Sequence, residues 1–129
     1  MIVYFVTQKD MGEIILLKPK IPKSASKEEG IIKRICVSTS ILGALSSIGR
    51  NLYLGCVTYI YKADIEIKDI FQPNDFVDDI DCTGELWLMK NTEFILHKKI
   101  KLLEIESFLL DSDKEIYNYK FESLGNSYD

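Results

Sequence analysis

The chain has one histidine, one tryptophan and three prolines in 129 residues, and its three cysteines, Cys36, Cys56 and Cys82, are widely spaced and lack a C-x-x-C pair. An odd, scattered set of thiols excludes a disulfide framework and a zinc knuckle, and leaves buried, reduced cysteines as the expectation. The lone His97 makes a poor metal site, since structural zinc takes four protein ligands. It lies between Leu96 and Lys98 in an alternating segment and reads as structural; a Cys-His nucleophile would need it beside one of the thiols. No Walker A, G-x-S-x-G, H-E-x-x-H or G-x-G-x-x-G pattern occurs, which removes several large enzyme classes as first choices. No apolar run approaches the ~18 residues of a membrane span. The opening MIVYFVTQKDMGE has neither the basic start nor the apolar stretch of a signal peptide, so the expectation is a cytoplasmic protein with no membrane partner.

What is present is ordinary globular composition, 47% hydrophobic and 28% charged, at a length that suits one domain over residues 1–129. The formal charge of −4 argues against broad binding to a phosphate backbone, so nucleic acid is not an expected partner.

Ile2 to Val6 is β-branched and aromatic and reads as a buried first strand. The apolar run Ile14 to Leu17 stops in Lys18-Pro19-Lys20-Ile21-Pro22, and 18–30 reads as an exposed loop with solvated lysines. Arg34 to Ser38 is a short strand. Apolar residues at 41, 44, 45 and 48 then fit a helix, with Ser or Thr as its N-cap and Gly49 at its C′ position. Gly43 weakens that helix by about 1 kcal/mol relative to Ala, so tertiary packing must hold it.

Val57 to Tyr61 is a strong strand, and Asp64 to Lys68 alternates with period two. An acidic connection over 72–83 precedes the strand Gly84 to Met89 and a turn at Lys90-Asn91. Phe94 to His97 and Ile100 to Glu106 continue the sheet, Tyr117 to Phe121 suggests a last edge strand, and 123–129 reads as a frayed tail. The class is α+β, a β-rich single domain of six or seven strands with one clear helix.

Asp75, Asp78, Asp79 and Asp81 lack the spacing of a calcium loop and read as a solvated acidic stretch able to choose a basic partner. Val37-Ser38-Thr39-Ser40 places hydroxyls at a strand end and a helix N-terminus, where free N–H groups suit an N-cap or an anion. Glu85, after Gly84 at the start of an apolar strand, is a carboxylate held near the sheet rim, where partial burial calls for a partner.

In order, the first strand, the loop, the strand-Ser-Thr-Ser-helix unit and the Gly-Glu strand resemble the small ADP-ribosyltransferase fold, in its compact rifampin-modifying form, over about residues 1–106. The resemblance implies mixed sheets and NAD as cofactor. It makes Glu85 the catalytic acid that orients the ribose and steadies the charge that builds as nicotinamide leaves. Ser38, Thr39 and Ser40 match the family's second motif and would support the ribose or Glu85, while Tyr4 or Tyr59 would stack on a ring. The family's first-strand His or Arg is absent: Phe5 stands there, and the substitutes in reach are Tyr4, Thr7 and Arg34. Arg34-Ile35-Cys36-Val37-Ser38-Thr39-Ser40-Ile41 and Thr83-Gly84-Glu85-Leu86-Trp87 also resemble short phage and prophage proteins. That likeness implies a bacterial host cell and an alternative role, a non-catalytic phage-type protein that inhibits a host or defence protein through an edge strand or the acidic 75–81 stretch. Seven tyrosines and an exposed edge make a homo-oligomer a further expectation.

Overall fold

Residues 1–21, 32–48, 52–71, 84–109 and 115–124 are described by a computed structural model. Eight strands run in chain order: β1 (Ile2–Thr7), β2 (Ile14–Leu17), β3 (Ile35–Ser38), β4 (Val57–Asp64), β5 (Ile70–Phe71), β6 (Glu85–Leu88), β7 (Thr92–Leu109) and β8 (Glu115–Leu124). Helix α1 (Ile41–Ile48) follows β3, and a 3-10 turn covers Ile67–Asp69. The strands form one sheet in the order β2-β7-β4-β1-β3-β6-β5, with β8 also on β7. Every ladder is antiparallel, which corrects the expectation of several mixed sheets.

The alternation of apolar residues along β1 and β4 buries both faces. Val3 and Phe5 in β1, with Tyr61 and Ala63 in β4, face one way and pack with Ile15, Ile35, Val37, Leu86, Leu88 and Phe94. Tyr4, Val6 and Ile60 face the other way and pack under α1 through Ile41, Ala44, Leu45 and Ile48, with Ile100 and Leu102 from β7. A sheet buried on both sides needs cover on both sides. On one side α1 supplies it. On the other the sheet curls on itself, and Lys20, beyond the end of β2, meets Arg34, just before β3, by two backbone hydrogen bonds of 3.1 and 3.0 Å.

β1 and β3 are joined by a single ladder pair, Tyr4 with Ser38, so the sheet is narrowest there. The helix crosses this seam and packs on β1, β3 and β6. Two segments differ from the sequence expectation. Asp64 to Lys68 does not form a strand of its own: Asp64 ends β4, Ile65 donates its N–H to the Met1 carbonyl, and Asp69 closes the 3-10 turn on Glu66 at 3.0 Å. With no neighbouring strand to pair with, alternation over five residues is not enough. Ser123 and Leu124 do not fray but pair with Ile100 and Lys99 in β7. Residues 22–30 of the expected loop and the Gly49 cap lie outside the described residues, as do 125–129 of the tail.

Among the described residues no helix is long and apolar enough to cross a membrane. Leu45 is fully buried and packs in the cluster between α1 and strands β1, β4 and β7. Leu45→Ala should cost about 2–5 kcal/mol, read as a lower urea midpoint at unchanged slope.

Candidate functional site

Directly paired residues of antiparallel strands share a face. Tyr4 pairs with Ser38, and Ser38 pairs with Glu85, so the three stand in one row across β1, β3 and β6, on the side covered by α1. Tyr59 pairs with Thr7 and packs against the opposite core, so the sheet separates it from this row.

The Ser38-Thr39-Ser40 turn is held by its own polar groups. Ser40 is the N-cap, its Oγ accepting from the Gly43 N–H at 2.9 Å, and Ser38 Oγ accepts from the Ser40 N–H at 3.4 Å. Ser38 is fully buried, whereas Thr39 and Ser40 are exposed. Thr39 donates its N–H to the Gly84 carbonyl at 3.4 Å, which joins the turn to the start of β6. Glu85 Oε2 accepts the Trp87 indole N–H at 2.8 Å. Trp87 is itself fully buried, stacked on Phe71 at 5.6 Å and covered by the Arg34 guanidinium 4.1 Å from its ring centre. Glu85 therefore belongs to a chain of contacts, Arg34 to Trp87 to Glu85, that sequence reading missed because its members are spread between β6 and the residue just before β3.

Two clefts of about 320 Å³ each are lined by described residues. The first opens where β1, β2 and β3 part, beside the Lys20–Arg34 bridge. Lys9, Lys18, Lys20 and Arg34 rim it, Phe5, Met11, Leu17 and Ile35 supply apolar wall, and no carboxylate lines it. Among the described residues Lys9, Lys18 and Lys20 make no ion pair. Lys18 and Lys20, expected to be merely solvated, are thus gathered with Lys9 and Arg34 on a protein whose net charge is negative. Thr7 and Arg34, two of the three substitutes for the missing first-strand His or Arg, line this cleft with Phe5; Tyr4 is the next residue along β1, facing the helix side. The second cleft, lined by Asp64, Glu66, Asp69 and Glu93 with Lys90, is acidic, and its lysine is paired with Asp69 at 2.8 Å. Glu85, Ser38, Tyr4 and Tyr59 line neither cleft.

Other polar side chains brace the scaffold. The Tyr61 hydroxyl donates to the Gly12 carbonyl at 2.7 Å, and burial raises its pKa. Gln8 clamps the segment after α1, accepting from the Tyr53 N–H and donating to the Tyr53 carbonyl, each at 2.8 Å. Of the thiols expected to be buried, Cys36 is half-buried at the first cleft and Cys56 is exposed, because it falls in the turn before β4 rather than in a strand. Cys82 and the acidic residues 75–81 lie outside the described residues. Comparison of the chain with protein-family models, with curated proteins and with solved structures finds no match.

Gly84 has φ +64°, and a Cβ there would lie 2.6 Å from Thr39 Oγ1; Gly55 has φ +79° but open space around it. Gly84→Ala should destabilise the fold by about 1–3 kcal/mol and by more than Gly55→Ala, compared as thermal midpoints. His97, 5.9 Å from the Tyr4 ring, has its pKa lowered first by burial and then by Lys62 and Lys98. The unfolded chain then takes up the His97 proton more readily than the folded one, so this residue removes stability as pH falls through the unfolded value of about 6.5. His97→Gln should flatten the loss of stability between about pH 7.5 and about pH 5.5 in urea titrations.

Proposed function

We propose that this chain binds NAD or a related nucleotide in the cationic cleft where β1, β2 and β3 part, with Glu85 as the acid of an ADP-ribosyltransferase-like site. The observation that carries the reading is the cleft itself. Three unpaired lysines and Arg34 around an apolar wall match a ligand with an anionic diphosphate and flat, weakly polar rings. Phe5 and Met11 offer surface for a ring, and Lys9, Lys18 and Lys20 offer charge for phosphate.

Glu85 stands outside the cleft, in the Tyr4–Ser38–Glu85 row on the helix side of the sheet, while Phe5 and Ile35 of the cleft face the other core, so the reading needs the ribose to extend from the cleft to the rim at the start of β6. In transfer of ADP-ribose, the bond between nicotinamide nitrogen and the ribose anomeric carbon breaks, nicotinamide leaves with the electron pair, and a nucleophile on the target closes on the same carbon. In this reading the Glu85 carboxylate, which accepts the Trp87 indole N–H, steadies the positive charge that builds on the ribose. Phe5 contributes no hydrogen bond to nicotinamide, so in this reading Thr7 or Arg34 takes that role.

A second reading, a non-catalytic protein that binds and inhibits a bacterial host or defence protein, is favoured by one feature. The capping hydroxyl of Ser40 and the buried hydroxyl of Ser38 are already engaged in the turn, and Phe5 replaces the gripping residue.

Calorimetric titration with NAD separates the readings. Saturable binding is expected, weakened about tenfold by the pair Lys18→Glu and Lys20→Glu. Glu85→Gln should keep binding but abolish nicotinamide release and target labelling. Wild-type protein that neither binds NAD nor labels any target in lysate would sink the enzyme reading and leave the binder.

A further inference from the structure

The cations of the first cleft arrive from two sides. Lys9 follows the end of β1, whereas Lys18 and Lys20 follow the end of β2, and β7 and β4 stand between those two strands in the sheet order. All three lysines are exposed, so their ammonium groups are open to a ligand. Arg34 contributes differently. It is 3% exposed, donates from its guanidinium to the Ile32 carbonyl at 2.8 Å and lies over the Trp87 ring. Its charge is fixed in the wall and acts on the cleft as a field rather than as a movable contact.

The backbone concentrates this charge. Lys20 and Arg34 exchange both N–H to C=O bonds, at 3.1 and 3.0 Å, the pattern of a directly opposed antiparallel pair whose side chains leave the same face. No carboxylate is among the described residues that line the cleft. Asp10, the acid next to Lys9 in the chain, is engaged by the Gly12 N–H at 3.1 Å.

The three lysines alone exceed the charge that NAD presents. Its diphosphate carries about two negative charges and its nicotinamide ring cancels one, whereas a phosphate monoester on the adenosine ribose adds about 1.5–2 more. The two ligands also call for different side chains. A free ribose 2′-hydroxyl is held best by a carboxylate acceptor, and a 2′-phosphate by cationic donors.

We propose that this cleft selects the 2′-phosphorylated dinucleotide, NADP, over NAD, a preference that rests on nucleotide binding there. Lys18 and Lys20 hold the diphosphate, and Lys9, coming from the other side, holds the 2′-phosphate. The adenosine ribose is bonded directly to the diphosphate, so its 2′-phosphate stays within the lysine rim.

Calorimetric titrations of the full chain with NADP and with NAD at about 50 mM salt test the preference. NADP should bind at least about tenfold more tightly, and the difference should close as salt is raised to about 0.5 M and the charges are screened. Lys9→Gln should lower the NADP-to-NAD affinity ratio by about threefold or more, while NAD affinity itself changes by less than about twofold. Lys68→Gln removes the same charge outside the cleft and should leave the ratio unchanged. Both lysines are exposed, so unchanged far-ultraviolet circular dichroism is expected of both variants. NAD binding as tightly as NADP, a ratio that Lys9→Gln does not lower, or one that Lys68→Gln lowers equally overturns the preference and leaves nucleotide binding standing. A chain that binds neither dinucleotide removes nucleotide binding itself, and the preference with it.

Discussion

The narrow joint between β1 and β3 is the constraint on which the rest of the molecule depends. A single ladder pair, Tyr4 with Ser38, links the half containing β2, β7, β4, β1 and β8 to the half containing β3, β6 and β5. Backbone pairing that thin cannot hold two halves in register alone. Side chains do it: α1 lies across the joint on one side, and on the other a single apolar cluster draws from β1, β2, β3, β4, β6 and β7. The Lys20–Arg34 bridge then ties the edge of one half to the start of the other. Where the backbones separate, a cleft is left.

Polar chemistry clusters at that joint for a physical reason. Strand ends release backbone donors and acceptors that buried surroundings require to be satisfied. Ser40, Ser38 and the Gly84 carbonyl satisfy the donors of the turn entering α1. The indole of Trp87 satisfies one oxygen of a half-buried Glu85, and Arg34 lies over that indole while it rims the cleft. The residues that make the fold close are thus neighbours of those that make the cleft charged.

Much of the fold was legible in the sequence, because periodicity reports burial. Ile2 to Val6, Val57 to Tyr61 and the 41, 44, 45, 48 spacing mark elements whose ends are found within three residues. Pairing order was not legible, because nothing local distinguishes a neighbour in space from a neighbour in sequence, and Asp64 to Lys68 shows that alternation without a partner strand does not make one. For the site, Ser38 and Glu85 were marked by their places at a strand end and a strand start, and the ladder makes them direct neighbours. Lys9, Lys18 and Lys20 were invisible as a group. They come together only because the chain after β2 returns to β3, a closure that no spacing between them encodes. Tyr59 looked equivalent to Tyr4 by composition, but two residues after Ile2 and nine before Lys68 say nothing of which face a side chain takes until register is known.

The solitary indole of the chain sits where these threads cross. Trp87 is sealed from solvent, sandwiched between Phe71 and Arg34, and bonded to Glu85. Its light emission therefore originates wholly in the smaller half of the sheet, with the Arg34 guanidinium, which also borders the cleft, lying over the ring. The molecule carries an optical gauge of that half, one that tyrosine emission from the larger half can be read against without adding a label.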